Sequence, residues 1–219
     1  MQNQGMTPTP KFGTKPHKFF ERHLDNDLTK LANFLSDRYE KIERAEVDGV
    51  TPLGSAGHEY WVKSGSTSTV KWREYNVFQF HSEEIYNVFK GVKDATKEAC
   101  EYYDIDFNAQ NFMVQGWFNI THKGKGKLDW HDHGQPGAPN FHGYYSVKAE
   151  PSTTHYHVYG ETVDHHNIDN KLIVSEMGHQ HAMADWDWEG PRITIAYDII
   201  PLEYLIRANA AEQHWIPLL

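Results

Sequence analysis

Arg192-Ile193-Thr194-Ile195-Ala196-Tyr197-Asp198-Ile199 is the clearest strand in the chain, with β-branched and aromatic residues recurring at a period of two. Outward from it, the whole stretch from 110 to 200 breaks into short β-prone runs separated by Gly, Pro and Asn clusters. Those runs are Phe112 to Ile120, Lys127 to His133, His142 to Ala149, Thr154 to Tyr159, Thr162 to Ile168, Leu172 to Glu176, His181 to Asp185, and Arg192 to Ile199. Eight short strands in about ninety residues point to a closed or double-sheet architecture, because such folds bury strand edges. The jelly roll, or double-stranded β-helix, is the natural candidate.

The N-terminal half has a different rhythm. Leu24, Leu28, Leu31, Leu35 and Ile42 repeat at helical spacing behind Asp25, Asn26 and Asp27, which predicts a helix over roughly 25 to 44. A segment from about 68 to 81, containing Thr69, Val70, Trp72, Tyr75, Val77, Phe78 and Phe80, is β-rich. Ser82-Glu83-Glu84 then opens a second helix, with Ile85, Val88, Phe89, Val92 and Ala99 on one face and an end near Tyr103. The expected fold class is therefore α+β: a double-stranded β-helix core of jelly-roll, cupin-like type with N-terminal supporting helices.

A chain of 219 residues suits one domain with a well-buried core. Residues 1–18, rich in Pro, Gln, Thr and Lys, read as a flexible arm, and 19–219 as the domain. Within it, 19–109 give helical and β support, 110–201 the core, and 202–219 a C-terminal segment. Ile206 to Leu219 is apolar enough to cover the barrel or a neighbour. There is no apolar run of about eighteen residues, and the N-terminus lacks a secretory signal pattern, so a cytoplasmic, membrane-free protein is expected. One cysteine, Cys100, excludes a disulfide framework and zinc-ribbon spacing. The formal charge of −9, with no basic stripe, argues against nucleic-acid binding.

Fifteen histidines are unusual, and nine of them lie from His131 to His181. In Trp130-His131-Asp132-His133-Gly134 the two histidines share a strand face and can ligate one ion, while Asp132 points away. His181, from a distant strand, would complete a facial set that leaves coordination positions open. An H-x-H pair by itself is weak: His155 and His157 form a second one, and strand histidines are often packing residues. His165 and His166 are adjacent, cannot share a face, and read as loop or surface residues. What separates the first pair is Arg192, eleven residues after His181. An arginine projecting into a β-core is costly unless an anion meets it, and a bidentate carboxylate is its best partner.

The spacing His131-x-His133, then His181, then Arg192 resembles the H-x-D…H…R signature of Fe(II)/2-oxoglutarate-dependent dioxygenases. Trp117-Phe118-Asn119, Gly124, His142-Gly143-Tyr144-Tyr145-Ser146-Val147 and Pro191-Arg192-Ile193-Thr194-Ile195 extend the likeness toward a branch common in marine bacteriophages and bacteria. It covers about 110 to 201. The resemblance implies Fe(II) on His131, His133 and His181, and 2-oxoglutarate as cosubstrate, its far carboxylate on Arg192 with Thr194 beside it. Tyr144 and Asn119 are candidates for lining the cosubstrate pocket. It further implies hydroxylation of an unidentified substrate, a protein side chain such as prolyl being the usual guess, with release of succinate and CO2, inside a bacterium or phage-infected host cell. Trp186 and Trp188 are candidates for the mouth of the site or for a hairpin packed on the sheet, the second being preferred.

One departure stands out: His133 occupies the place of the signature's carboxylate, which leaves the site one positive charge richer. Asp132 could serve instead only if a bulge reversed its side chain. Two other classes fit the pattern less well. A cupin-like metal dioxygenase or isomerase needs no 2-oxoglutarate but gives Arg192 no purpose, and a non-catalytic jelly-roll binding or structural protein gives the histidines none beyond packing.

Overall fold

The computed structural model describes residues 15–44, 67–68, 76–124, 128–133, 140–207 and 215–219. In chain order, β1 (Phe20–His23) leads into α1 (Leu28–Arg44), followed by β2 (Thr67–Ser68), α2 (Glu83–Tyr102) and the one-turn α3 (Phe107–Gln110). Then come β3 (Phe112–Thr121), β4 (Leu128–His131), β5 (Phe141–Lys148), β6 (Thr153–Val158) and β7 (Glu161–His166). The chain continues through β8 (Lys171–Glu176), β9 (Gln180–Met183), β10 (Arg192–Pro201), α4 (Leu202–Arg207) and β11 (Ile216–Pro217). All eight expected β-runs are strands, with ends shifted by at most a few residues.

Two antiparallel sheets result. The larger runs β1-β8-β5-β10-β3-β11, with β2 also paired to β3, and the smaller runs β4-β9-β6-β7. Alternation along each strand sorts the side chains. On the outer face of the larger sheet, Ile193, Ile195, Tyr197 and Ile199 of β10 join Phe141, Tyr145 and Val147 of β5 and Leu172 and Val174 of β8, all buried. Leu31 and Leu35 of α1 and Ile85, Val88, Val92, Ala95 and Ala99 of α2 belong to the same core, so the two helices back this face. Each fully buried Leu or Ile in that layer contributes about 1.5–3 kcal/mol relative to exposure. On the inner face, Tyr144, Ile173 and Ala196 meet Tyr156 and Val158 from the smaller sheet, with Phe19 and Trp117 beside them.

Several elements depart from the reading above. Helix α1 starts at Leu28, not 25, because Asp27 caps it: its Oδ1 accepts the Lys30 amide at 2.9 Å. Of the β-rich segment at 68–81, Thr69 to Tyr75 lie outside the described residues, and Val77–Gln79 form a 3₁₀ turn rather than a strand. Asn76 dictates that turn. Its side chain accepts the Phe78 amide at 3.1 Å and the Gly116 amide at 3.1 Å, and donates to the Val114 carbonyl at 2.8 Å.

At the N-terminus, Lys15 to Lys18 are packed against the fold, although their composition places them in the arm. Lys15 pairs with Asp104 at 2.6 Å and His17 approaches Glu176 at 3.3 Å. They lead into β1, which adds an edge to β8 through Phe20 opposite Val174. In the C-terminal segment Leu218 is buried in the core and Ile216 pairs with Val114, whereas Ile206 and Leu219 are exposed. Among the described residues no helix is long and apolar enough to cross a membrane.

Candidate metal centre and anion pocket

The β4–β9 ladder sets His131 directly opposite His181, with ring centroids 4.3 Å apart. His133, two residues on, stays on the same side, 5.0 Å from the His131 ring and 5.1 Å from the His181 ring. One donor nitrogen from each of the three lies within 4.8 Å of the others. Asp132 is exposed, so no bulge turns it inward. The second H-x-H goes the other way: His155 pairs with Asp164 at 2.7 Å on the outside of the β6–β7 ladder, and His157 is exposed.

Each of the three histidines has one ring nitrogen engaged by an oxygen. His131 Nδ1 donates to the Asp129 carbonyl at 2.8 Å, His181 bonds the His179 backbone, and His133 Nδ1 lies 3.4 Å from Asp198 Oδ2. Such partners fix tautomer and ring orientation, and the remaining nitrogen is the one each can offer to a metal. Burial, and then repulsion from neighbouring histidines, lowers the pKa of His131 and lowers that of His181 further. Both are therefore neutral at neutral pH, which is the ligating form.

Behind them stands a pair that the sequence reading did not single out. His142 of β5 lies opposite Asp198 of β10, its Nδ1 2.8 Å from Asp198 Oδ1, and its ring stacks on His133 at 4.1 Å. Burial and His133 push the His142 pKa down to about 4. Burial alone would raise the Asp198 carboxyl, but His133 and His142 outweigh it and hold it at about 2. His133, His142 and Asp198 form a second possible donor group, sharing His133 with the first. Both residues were within reach of the period-two rule: His142 shares a face with Tyr144, and Asp198 with Arg192 and Thr194.

One pocket is lined by these histidines and by Arg192, Thr194, Tyr144, Asn119, Trp117 and Thr154. Arg192 is 6% exposed, and its Nε donates to Ser152 Oγ at 3.0 Å. Among the described residues no carboxylate forms an ion pair with it; the nearby Asp169 instead accepts the Ala149 and Glu150 amides, at 2.6 and 3.0 Å. Burial lowers the Arg192 pKa to about 10, so the guanidinium stays charged at neutral pH. Thr194 is buried on the same strand face and faces Asn119 across the β10–β3 ladder. The Tyr144 hydroxyl donates to Asn167 Oδ1 at 2.5 Å and lies 2.8 Å from His165 Nδ1. His165 is thus a buried strand residue, not a surface one: Glu21 of β1 holds its other nitrogen at 2.9 Å, while His166 is exposed. Trp186 and Trp188 do not line the pocket; Trp186 is buried and donates to the Gly190 carbonyl at 2.8 Å.

Two facing antiparallel sheets with helices behind the larger one and a histidine cluster between them define a jelly-roll, double-stranded β-helix fold. No protein-family model matches the chain, and no curated protein matches it in sequence. Solved structures do match in fold. One is a Pseudomonas putida prolyl-4-hydroxylase, at 10% identity over 83% of this chain and 91% of that chain, with a TM-score of 0.54. Another is SnoK, a non-heme alpha-ketoglutarate-dependent carbocyclase from nogalamycin biosynthesis, at 7% identity, 84% and 80% coverage and a TM-score of 0.52. The non-heme monooxygenase ThoJ, in its nickel complex, is similar at 14% identity, 91% and 76% coverage and a TM-score of 0.50.

Proposed function

We propose that this protein is an Fe(II)- and 2-oxoglutarate-dependent oxygenase that hydroxylates its substrate and releases succinate and CO2. The observation that carries the reading is Arg192: a buried cation with no carboxylate partner among the described residues, lining the same pocket as His131, His133 and His181. A dicarboxylate cosubstrate supplies the missing charge. His131, His133 and His181 hold the metal, and the oxygen partners on their second nitrogens fix ring orientation. Bound iron would supply dioxygen activation coupled to oxidative decarboxylation of 2-oxoglutarate. Arg192 pairs with the carboxylate far from the metal, Thr194 adds a hydroxyl donor, and Tyr144 and Asn119 shape the pocket between them. Trp117, stacked on His133 at 5.4 Å, shields that ligand from water.

For the prime substrate we assign a protein side chain, prolyl being the first to test. One fold neighbour is a prolyl-4-hydroxylase, and that likeness makes a prolyl side chain the first candidate. Placement in a bacteriophage-like branch rests on the quoted motifs alone.

Anaerobic addition of Fe(II) and 2-oxoglutarate is expected to give a weak visible charge-transfer band, diminished by both His181→Ala and Arg192→Ala. No band from folded, iron-loaded protein would overturn the cosubstrate assignment. Iron that binds without regard to 2-oxoglutarate or Arg192 would favour a cupin-like metal enzyme.

A further inference from the structure

A second cluster of donor groups lies outside the pocket. Glu176, at the end of β8, is approached on one oxygen by three groups: His179 Nε2 at 2.7 Å, the Tyr159 hydroxyl at 3.1 Å and His17 Nδ1 at 3.3 Å. Its other oxygen, Oε2, is buried with no partner, and so is His17 Nε2. The side chains of His17, Glu176 and His179 are 6%, 4% and 15% exposed. The two imidazoles meet edge to face with centroids 4.7 Å apart.

A carboxylate that served only as a hydrogen-bond acceptor would spread three donors over both oxygens, which together offer about four lone-pair sites. Here one oxygen is crowded while its sibling stays dry and unpaired, an arrangement that costs free energy unless something else binds there. Donor atoms of the three residues lie within 4.8 Å of one another. Two imidazoles and a carboxylate suit a borderline divalent cation of the zinc type, with a fourth position left for water or for the neighbouring phenol.

We propose that His17, Glu176 and His179 form a second divalent-metal site, separate from the three-histidine centre. The ligands come from three places: the segment before β1, the end of β8, and the turn into β9. A bound ion therefore cross-links the N-terminal segment to the turn that carries His179, two residues before His181. A narrow gap lined by His133, His142 and His181 as well as Glu176 and His179 puts the two clusters side by side. The ion's structural effect is to tie down the edge that β1 adds to β8.

The test uses zinc alone and the full chain. Equilibrium dialysis against micromolar Zn(II), followed by elemental analysis, is expected to give two equivalents for the wild type. One equivalent is expected for His17→Ala and for His131→Ala, and none for the double variant. Glu176 is buried and its replacement could unfold the chain, so His17, in the N-terminal segment, is the residue changed. As a second readout, zinc should slow tryptic cleavage after Lys18 at least tenfold in the wild type and leave the rate in His179→Ala unchanged. A single equivalent in the wild type that His131→Ala abolishes would overturn the proposal. So would two equivalents in His17→Ala, or zinc protection that survives in His179→Ala.

Discussion

At the scale of single residues, the question is how a histidine works where the signature has a carboxylate. The structure places a carboxylate one step behind it: Asp198 lies 3.4 Å from His133 Nδ1 and 2.8 Å from His142 Nδ1. In the proposed centre, the negative charge that position 133 lacks is thus supplied by a residue beside that histidine. Asp198→Asn is expected to weaken Fe(II) binding by about 10–100-fold, the usual effect of removing the group that orients a metal-bound histidine. Restoring the signature by His133→Asp should not help, because the new carboxylate would face Asp198 without an imidazole between them. The double variant His133→Asp/Asp198→Asn removes that conflict and should bind Fe(II) about tenfold more tightly than His133→Asp, a difference of about 1.4 kcal/mol. Competition with a calibrated chelator under nitrogen measures all four proteins. If His133→Asp binds as tightly as the double variant, Asp198 does not compensate for the exchange.

At the scale of elements, the strands were legible because alternation carries their faces, and α1 and α2 because apolar residues recur at helical spacing. The 3₁₀ turn at Val77–Gln79 was not: its apolar residues match a strand, and Asn76, the residue that decides the matter, acts through a contact with β3. β1 was hidden for a similar reason. It is four residues long and owes its place to pairing with β8, some 150 residues away in sequence. Glycine positions report this packing with some precision. In β5, a Cβ on Gly143 would sit 2.0 Å from the Ile173 carbonyl oxygen and 2.6 Å from the Tyr197 ring. That carbonyl is itself fixed by the Tyr197 hydroxyl at 2.7 Å. Gly143→Ala should therefore cost about 3 kcal/mol, a fall in Tm of roughly 6–12 °C for a chain of this size. Gly116→Ala meets only the side chains of Phe78 and Val77, which can move, so its Tm should fall less. Equal losses in calorimetry would show that the β5–β8 contact is looser than described.

For the molecule as a whole, the fold makes one sheet do two jobs: its outer face is core against the helices, while its inner face supplies Arg192, Thr194, Tyr144 and His142 to the pocket, with Asp198 held against His142. The spacing of His131, His133, His181 and Arg192 could be read along the chain because each lies on or beside a recognisable strand. The inward face of His142 and of Asp198 was legible in the same way, but their pairing with each other and the His17–Glu176–His179 group were not, since both depend on which strands become neighbours. That division predicts separable stabilisation by ligands. In anaerobic thermal melts, saturating a metal site to 100 times its Kd adds about 2.7 kcal/mol, or roughly 5–11 °C in Tm. 2-Oxoglutarate should add a further increment only when metal is present, because its two ends are held at two places. Arg192→Ala, compared with its own unliganded baseline, should keep the metal increment and lose most of the 2-oxoglutarate one. His181→Ala should lose the 2-oxoglutarate increment and the share of the metal increment that belongs to the three-histidine centre. An undiminished 2-oxoglutarate increment in Arg192→Ala would mean that the buried guanidinium is not the group that receives the far carboxylate.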